Sequence, residues 1–117
     1  MKNLIGICAA IAMLAPTLSF AVGAIAVDDQ VGDQSAGYGI VTGAGSKDEA
    51  KAGALKKCKE AGNDSCKFAV WFESCGAYAA SEKYAGVGWG ADEGKAKAMA
   101  LQKCGDSSCK VVASECE

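Results

Sequence analysis

The sequence predicts an α+β domain made of two strand–strand–helix–strand repeats that disulfide bonds hold together. Cysteines occur in two groups of three after residue 21, and an alanine–leucine–cysteine spacing occurs twice. In each half, one cysteine ends a predicted helix, the next opens a strand and the third closes it. The six residues are Cys58, Cys66, Cys75, Cys104, Cys109 and Cys116.

The N-terminal segment, residues 1–21, has the pattern of a secretory signal peptide. Lys2 supplies a positive charge, residues 4–15 form an apolar stretch, and cleavage is expected after the segment, with Ala24 as the alternative site. The apolar stretch is shorter than the about 20 residues that a membrane span needs, and Cys8 within it leaves with the signal. We therefore expect an exported protein, periplasmic or secreted, without a membrane span.

One domain is expected over residues 22–117, and an internal repeat sets the order of its elements. The pattern Ala-x-x-x-Ala-Leu-x-x-Cys spans Ala50–Cys58 and recurs at Ala96–Cys104, an offset of 46 residues. Gly23–Val27, at the start of the first half, is echoed by Gly76–Ala80. No low-complexity linker separates the halves, so we expect them to form one intertwined domain.

Both predicted helices carry start signals. Ser46 and Glu49 form a capping box, in which Ser46 accepts a hydrogen bond from the Glu49 backbone and Glu49 reaches back to the cap. Asp92 is expected to cap the second helix. Each helix also has small residues at fourfold spacing, which lets it lie close to a sheet. These residues are Ala50, Ala54, Ala96 and Ala100.

The cysteines of an exported chain of this size are expected to form disulfides, which persist in oxidising compartments. Six thiols allow 15 pairings, and if the halves share a fold one scheme is simplest. It pairs Cys58 with Cys66, Cys104 with Cys109, and Cys75 with Cys116. A metal site is the competing interpretation, but the chain has no histidine and no tight Cys-x-x-Cys motif. We expect neither a metal nor a cofactor.

Charge disfavours a nucleic-acid partner. Without Lys2, the domain has 11 lysines against 14 carboxylates, and the chain contains no arginine. Specific nucleic-acid binding normally needs a basic excess, with arginine for planar contacts to phosphate and guanine. The lysines are interspersed with acidic residues, which is typical of a solvated surface.

The strand after Cys66 contains the candidate partner-binding residues. Period-two alternation predicts three residues on the core face, namely Phe68, Val70 and Phe72. Trp71 then shares the opposite face with Lys67 and Glu73. A tryptophan on an otherwise polar face is a candidate anchor for a protein partner. The alternative is that a loop, or the other face of a two-sided sheet, covers Trp71.

The second tryptophan lies in a glycine-rich stretch. Gly86, Gly88 and Gly90 are typical of a strand with one bare face, so Val87 and Trp89 point the other way. We expect Trp89 to belong to the core.

Catalytic signals are weak throughout the sequence. The absence of histidine excludes Ser-His-Asp and Cys-His catalysis. Asp28, Asp29 and Asp33 could hold calcium or act as acid and base, but aspartate and glycine in this stretch are typical of a turn between strands. We therefore expect a protein that is not an enzyme. A carboxylate-based hydrolase that uses Asp28 or Asp29 is an alternative.

The sequence resembles domain-of-unknown-function family 4189, whose members are small exported bacterial domains. The resemblance rests on Gly23–Ala26, on the repeated Ala-x-x-x-Ala-Leu-x-x-Cys, on Cys66–Lys67 and on Cys75–Ala77. It covers nearly the whole predicted mature chain and implies an exported, disulfide-bonded α+β domain. It implies no activity and no catalytic residues.

Together these features predict a monomeric, exported, non-catalytic module that binds another protein, as an inhibitor, an immunity factor or an effector does. Export, disulfide-bonded rigidity and the lack of catalytic groups support this expectation, since preorganisation lowers the cost of binding. A structural or stress-related envelope protein is the first alternative, and the carboxylate-based hydrolase is the second.

Overall fold

The computed structural model describes residues 21–28 and 37–117. The predicted signal segment up to residue 20, with Cys8, lies outside the described residues, as do Asp29 and Asp33. The described elements follow the predicted order, strand, strand, helix and strand, twice. They are β1 (Val22–Asp28), β2 (Gly37–Ala44), α1 (Lys47–Glu60), β3 (Lys67–Phe72), β4 (Cys75–Ala80), β5 (Ala85–Gly90), α2 (Glu93–Cys104) and β6 (Lys110–Cys116).

Each repeat forms its own three-stranded sheet. The strand orders are β2-β1-β3 and β5-β4-β6, so the first strand of each repeat lies in the centre. The central strand is antiparallel to both neighbours. The two outer strands of a sheet are therefore parallel to each other, and the helix of the repeat connects them across the central strand.

The two sheets pack face to face, with α1 on the outer face of the first sheet and α2 on the outer face of the second. Between the sheets lie Ile25 and Val27 of the first and Tyr78 of the second, all buried. Each helix covers small side chains, such as Ala24 under α1 and Ala77 under α2. The order of layers is thus helix, sheet, sheet, helix, which confirms the predicted α+β class.

Alanines on the helices and glycines on the sheets allow each helix to lie close to its sheet. Ala50 and Ala54 of α1 are fully buried, as the fourfold spacing predicted. On β2, a Cβ added to Gly39 would overlap the backbone of Cys58. On β5, a Cβ added to Gly86 would overlap the backbone of Cys104 in the same way. A side chain at either glycine would push the helix away from the sheet.

The three disulfides have the pairing that the duplicated layout favours. In each repeat, one bond joins the helix to the start of the strand that follows it, and the third bond joins the neighbouring strands β4 and β6. The pairs are Cys58–Cys66, Cys104–Cys109 and Cys75–Cys116.

The helix caps agree with the predicted signals, except for one bond. The Ser46 hydroxyl accepts a hydrogen bond from the Glu49 backbone N–H at 3.1 Å, and Asp92 accepts one from Lys95 at 2.8 Å. The Glu49 carboxylate, however, accepts from the N–H of Gly45 at 3.1 Å, one residue before the expected cap. In the described part of the chain, neither helix is long and apolar enough to cross a membrane.

Candidate functional site

A cleft of about 500 Å³ lies at the edge of the molecule where β3 of the first sheet faces β5 of the second. Consecutive residues 68–73 line one side of it. Val87 and Trp89 of β5 line the other side, so the cleft is built from both repeats.

A β-bulge determines which face of the first sheet each β3 side chain occupies. Along β1, Ile25 pairs with Val70, but the next residue, Ala26, pairs with Phe68, which leaves Ala69 as an extra residue. A bulge of this kind interrupts the period-two alternation of a strand. The second repeat has the equivalent irregularity, where Val112 is the extra residue on β6. The bulge is therefore a repeated feature of the fold.

The bulge makes the predicted face of Phe68 wrong. Side chains of directly paired residues point to the same face of a sheet. Val70 and Phe72 face the second sheet and are buried there. Phe68 instead packs on the α1 side, together with Trp71. Periodicity alone could not detect this change, because nothing in the apolar pattern marks Ala69 as an extra residue.

The structure brings Trp71 and Glu73 together but not Lys67. Trp71 is half-buried under α1, because the first sheet is covered on both faces. The residue nevertheless lines the cleft, as does the exposed Glu73. Lys67 pairs with Val27 and therefore lies on the face that points to the second sheet. The prediction that Lys67 shares the face of Trp71 is wrong, and the bulge at Ala69 is the reason.

Trp89 is not a core residue, so the prediction that placed it in the core is wrong. It does point away from the glycine face of β5, since it pairs with Gly76 while Gly88 pairs with Ala77. The side chain is nevertheless 47% exposed, because β5 is an edge strand and Gly76 has no side chain to cover the indole. Trp89 is thus a cleft residue that the sequence reasoning missed.

Lysine ammonium groups lie over the aromatic rings around the cleft. Lys47 Nζ is 4.8 Å from the centre of the Trp71 ring, and Lys103 Nζ is 5.0 Å from that of Trp89. Lys51 Nζ is 5.2 Å from the centre of the Phe68 ring. A contact of this type contributes about 0.5–1 kcal/mol at an exposed position. The aromatic residues around the cleft are therefore accompanied by positively charged ammonium groups.

In the second repeat, the positions equivalent to Trp71 and Lys47 hold polar side chains that bond to each other. The repeat offsets place Glu93 where the first repeat has Lys47, and Ser114 where it has Trp71. The Ser114 hydroxyl donates a hydrogen bond to Glu93 at 2.7 Å. The combination of an aromatic ring with a lysine over it therefore distinguishes the β3 edge from the β6 edge.

The carboxylates near the cleft do not form an acid–base pair. Among the described residues that line the cleft, Glu73 is the only carboxylate. Asp28 is buried, and one of its oxygens accepts a hydrogen bond from the Ser65 backbone N–H at 3.1 Å. That contact stabilises the connection before β3, whereas the predicted turn after Asp28 lies largely outside the described residues. Within the described residues, no cluster of three or more potential metal ligands occurs.

Two carboxylates with lowered pKa values lie outside the cleft. The hydrogen bond from Ser114 lowers the pKa of Glu93, and the charge of Lys97 lowers it further. Hydrogen bonds from Ser108 lower the pKa of Asp106. Both carboxylates are exposed and locally paired, so these shifts do not indicate a catalytic group.

Comparison with known families supports the resemblance that the sequence pattern indicated. The profile of the family described as "Domain of unknown function (DUF4189)" matches residues 22–116. The chain belongs to this family. The match extends from β1 to β6, so the cleft lies entirely within the DUF4189 domain. No curated protein and no solved structure matches the chain.

Proposed function

We propose that this DUF4189 domain is an exported, non-catalytic protein-binding module of the inhibitor, immunity or effector type, and that the β3–β5 cleft is its binding surface. One observation carries the proposal: Trp71 and Trp89, from different repeats and 18 residues apart in the sequence, line the same cleft. Tryptophan is enriched among the residues that contribute most to protein–protein affinity.

The surroundings of the two tryptophans support this role. Trp71 packs on the α1 side of its sheet and is half-buried, Trp89 is 47% exposed, and both residues line the cleft. A disulfide fixes the framework beside the cleft, since Cys75 itself lines the cleft and is bonded to Cys116. A surface that is already ordered loses less entropy on binding.

The proposed location is the periplasm or the exterior of the cell. The three disulfides support it, because such bonds persist in oxidising compartments and are rare in the cytosol. The non-catalytic part of the proposal rests on Glu73, which is the only carboxylate among the described residues that line the cleft, since hydrolysis by carboxylates normally needs two that flank the scissile bond. Asp28, the described candidate, is buried and engaged with Ser65.

The test is crosslinking capture with the oxidised domain as bait in envelope and culture extracts. Parallel baits carry Trp71→Ala, Trp89→Ala or the control Tyr84→Ala. Tyr84 is 51% exposed but does not line the cleft, so the control removes an exposed aromatic ring elsewhere.

We expect one protein to be enriched by the native bait and the Tyr84→Ala bait and lost with both tryptophan variants. All baits must retain three disulfides and the native circular dichroism spectrum. Equal capture by all baits, or enrichment by none, would contradict the proposal.

A further inference from the structure

We propose that the partner of the cleft is an acidic peptide segment in extended conformation, which adds as a fourth strand to the outer edge of β3. The inference rests on the proposed function and names the chemistry of the segment that is bound. Three features of the β3 edge support it: an edge that no other described strand pairs with, lysines beside it that form no salt bridge within the described residues, and an apolar wall on its other side.

The first feature is the free edge. In the order β2-β1-β3, β3 pairs with β1 only, and no described strand lies on its other side. Residues 68–73 line the cleft without interruption, so the edge is open along about 20 Å, at about 3.3 Å per residue. An edge strand presents unpaired N–H and C=O groups, which an extended peptide can pair with.

The second feature is positive charge that lacks a carboxylate partner. Among the described residues, Lys47 and Lys51 form no salt bridge, and their ammonium groups lie over Trp71 and Phe68 beside the β3 edge. In the second repeat, the equivalent of Lys51 is Lys97, whose ammonium group is already paired with a carboxylate at 3.6 Å. Acidic side chains on a bound strand would supply the missing charge beside α1.

The third feature is the asymmetry of the two walls. Side chains of a bound strand alternate between its two faces. One set would point toward α1, where the lysines lie. The other set would point toward the apolar side chains of Val87 and Trp89 of the second sheet, where Lys103 over the Trp89 ring is one further positive charge. The geometry therefore specifies a segment in which acidic and apolar residues alternate, with no acid beside Glu73 at the end of β3.

The same charges disfavour a second copy of this chain as the occupant. Pairing β3 with β3 of another copy would bring Lys47 and Lys51 of both copies to one interface. Like charges facing each other are destabilising, and lysine beside an edge strand is a common means of preventing self-association. An acidic partner, in contrast, would be attracted to the same lysines.

The test begins with a display library of short random peptides, which is panned against the oxidised domain. We expect the selected peptides to alternate acidic with apolar residues and to lose binding with Trp71→Ala. Two sets of synthetic copies carry N-methyl groups at one or the other set of alternate backbone positions. The set that removes the donors facing β3 should not bind, whereas the other set should bind as the unmodified peptide does.

Charge is tested with two double variants of the same helix. Lys47→Gln with Lys51→Gln should weaken peptide binding about tenfold, which corresponds to about 1.4 kcal/mol. Lys56→Gln with Lys57→Gln is the matched control, since it removes equal charge from α1 but on the side away from β3. The control should bind as tightly as the native domain.

The possible failures separate the two proposals. Selected peptides without acidic enrichment, or unaffected by N-methylation, overturn the inference but leave the binding function intact if Trp71→Ala abolishes their binding. A library that yields no binder, or a domain that sediments as a β3-paired dimer, also overturns the inference. Peptides that bind equally well to the Trp71→Ala and Trp89→Ala domains contradict both the inference and the proposed binding surface.

Discussion

The ring of Phe72, at the end of the first repeat, packs directly against Gly76, near the start of the second. Gly23, which occupies the equivalent position in the first repeat, lies against the same ring. A Cβ added to either glycine would overlap the ring atoms, and Phe72 is only 2% exposed. One aromatic side chain thus fills the space that both glycines leave, and it fixes the contact between the two sheets.

Substituting either glycine with alanine should weaken the contact between the sheets. Gly76→Ala and Gly23→Ala should each lower the free energy of unfolding by about 1–3 kcal/mol, because the added methyl group has no space beside a buried ring. Urea unfolding followed by circular dichroism measures the loss. Gly45→Ala is the control, since its Cβ would come no closer than 3.3 Å to any neighbour, an oxygen of the Glu49 carboxylate.

The role of the ring can be separated from other effects of alanine. Phe72→Leu should make Gly76→Ala less damaging, so the double variant should lose less stability than the sum of the single variants. Strict additivity, or an effect of Gly76→Ala no larger than that of the control, would contradict the packing described.

Gly39 and Gly86 should be even less tolerant of substitution. A Cβ at Gly39 would meet backbone atoms of α1, and a Cβ at Gly86 would meet equivalent atoms of α2. Backbone atoms cannot rotate away, so Gly39→Ala and Gly86→Ala should each cost about 3 kcal/mol or more in the free energy of unfolding. Gly90→Ala is the milder comparison on β5, because its Cβ would lie 2.9 Å from Lys95 Cβ but no closer than 3.5 Å to a backbone atom of α2.

Hydrogen exchange would locate the damage in each variant. Gly39→Ala should reduce amide protection mainly in α1, and Gly86→Ala mainly in α2. If Gly90→Ala costs as much as Gly86→Ala, the close approach of helix backbone to glycine is not what stabilises the second repeat.

The disulfides should differ in their contributions to stability. Cys75 and Cys116 are 41 residues apart, whereas Cys104 and Cys109 are separated by 5. A crosslink that closes a longer loop restricts the unfolded chain more, so the estimates are about 4 kcal/mol for the first bond and about 2 kcal/mol for the second. Double alanine substitution of each pair, with urea unfolding, tests this order. Equal losses would show that loop length does not decide it.

The predictions made from the sequence were most accurate where a residue type at a given spacing has one usual structural role, such as a disulfide, a small buried helix face or a helix cap. Cysteines at matching offsets indicated three bonds, and the repeated Ala-x-x-x-Ala-Leu-x-x-Cys indicated two helices with small buried faces. The helix caps were also recognisable, because Ser46 and Asp92 have side chains that accept bonds from the backbone nearby. These signals are local, so they do not depend on how the two sheets meet.

The cleft was only partly predictable, because its geometry depends on contacts between the repeats. Trp71 and Glu73 were selected correctly as neighbours, but the bulge at Ala69 moved Lys67 and Phe68 to faces that alternation did not predict. Trp89 was misplaced for a different reason: its strand is an edge strand, and the strand order of a sheet is not encoded in local alternation. Sequence patterns therefore identified the helices and strands better than they identified which strands and side chains lie next to each other.

Glu93 should make the stability of the domain depend on pH in the acidic range. Its carboxylate accepts a hydrogen bond from Ser114 of β6 at 2.7 Å and lies 3.6 Å from Lys97 Nζ. These contacts favour the charged carboxylate, so its pKa in the folded protein lies below the ordinary value of 4.5. The unfolded chain then binds this proton first, so the stabilising contribution is fully present above 4.5 and is lost as the pH falls through the lower, folded pKa.

Ser114→Ala removes the larger of the two causes and tests the assignment. The variant should be less stable than the native domain at neutral pH, and the difference should narrow as the pH falls below 4.5, because a protonated Glu93 gains less from the serine. Urea unfolding across this range measures the difference, while an NMR titration of the Glu93 carboxyl carbon should show its pKa moving up toward the ordinary value. Ser107→Ala, at an exposed serine outside this contact, should change neither quantity. A difference in stability that stays constant with pH would mean that Ser114 stabilises β6 by packing and not through the charge of Glu93.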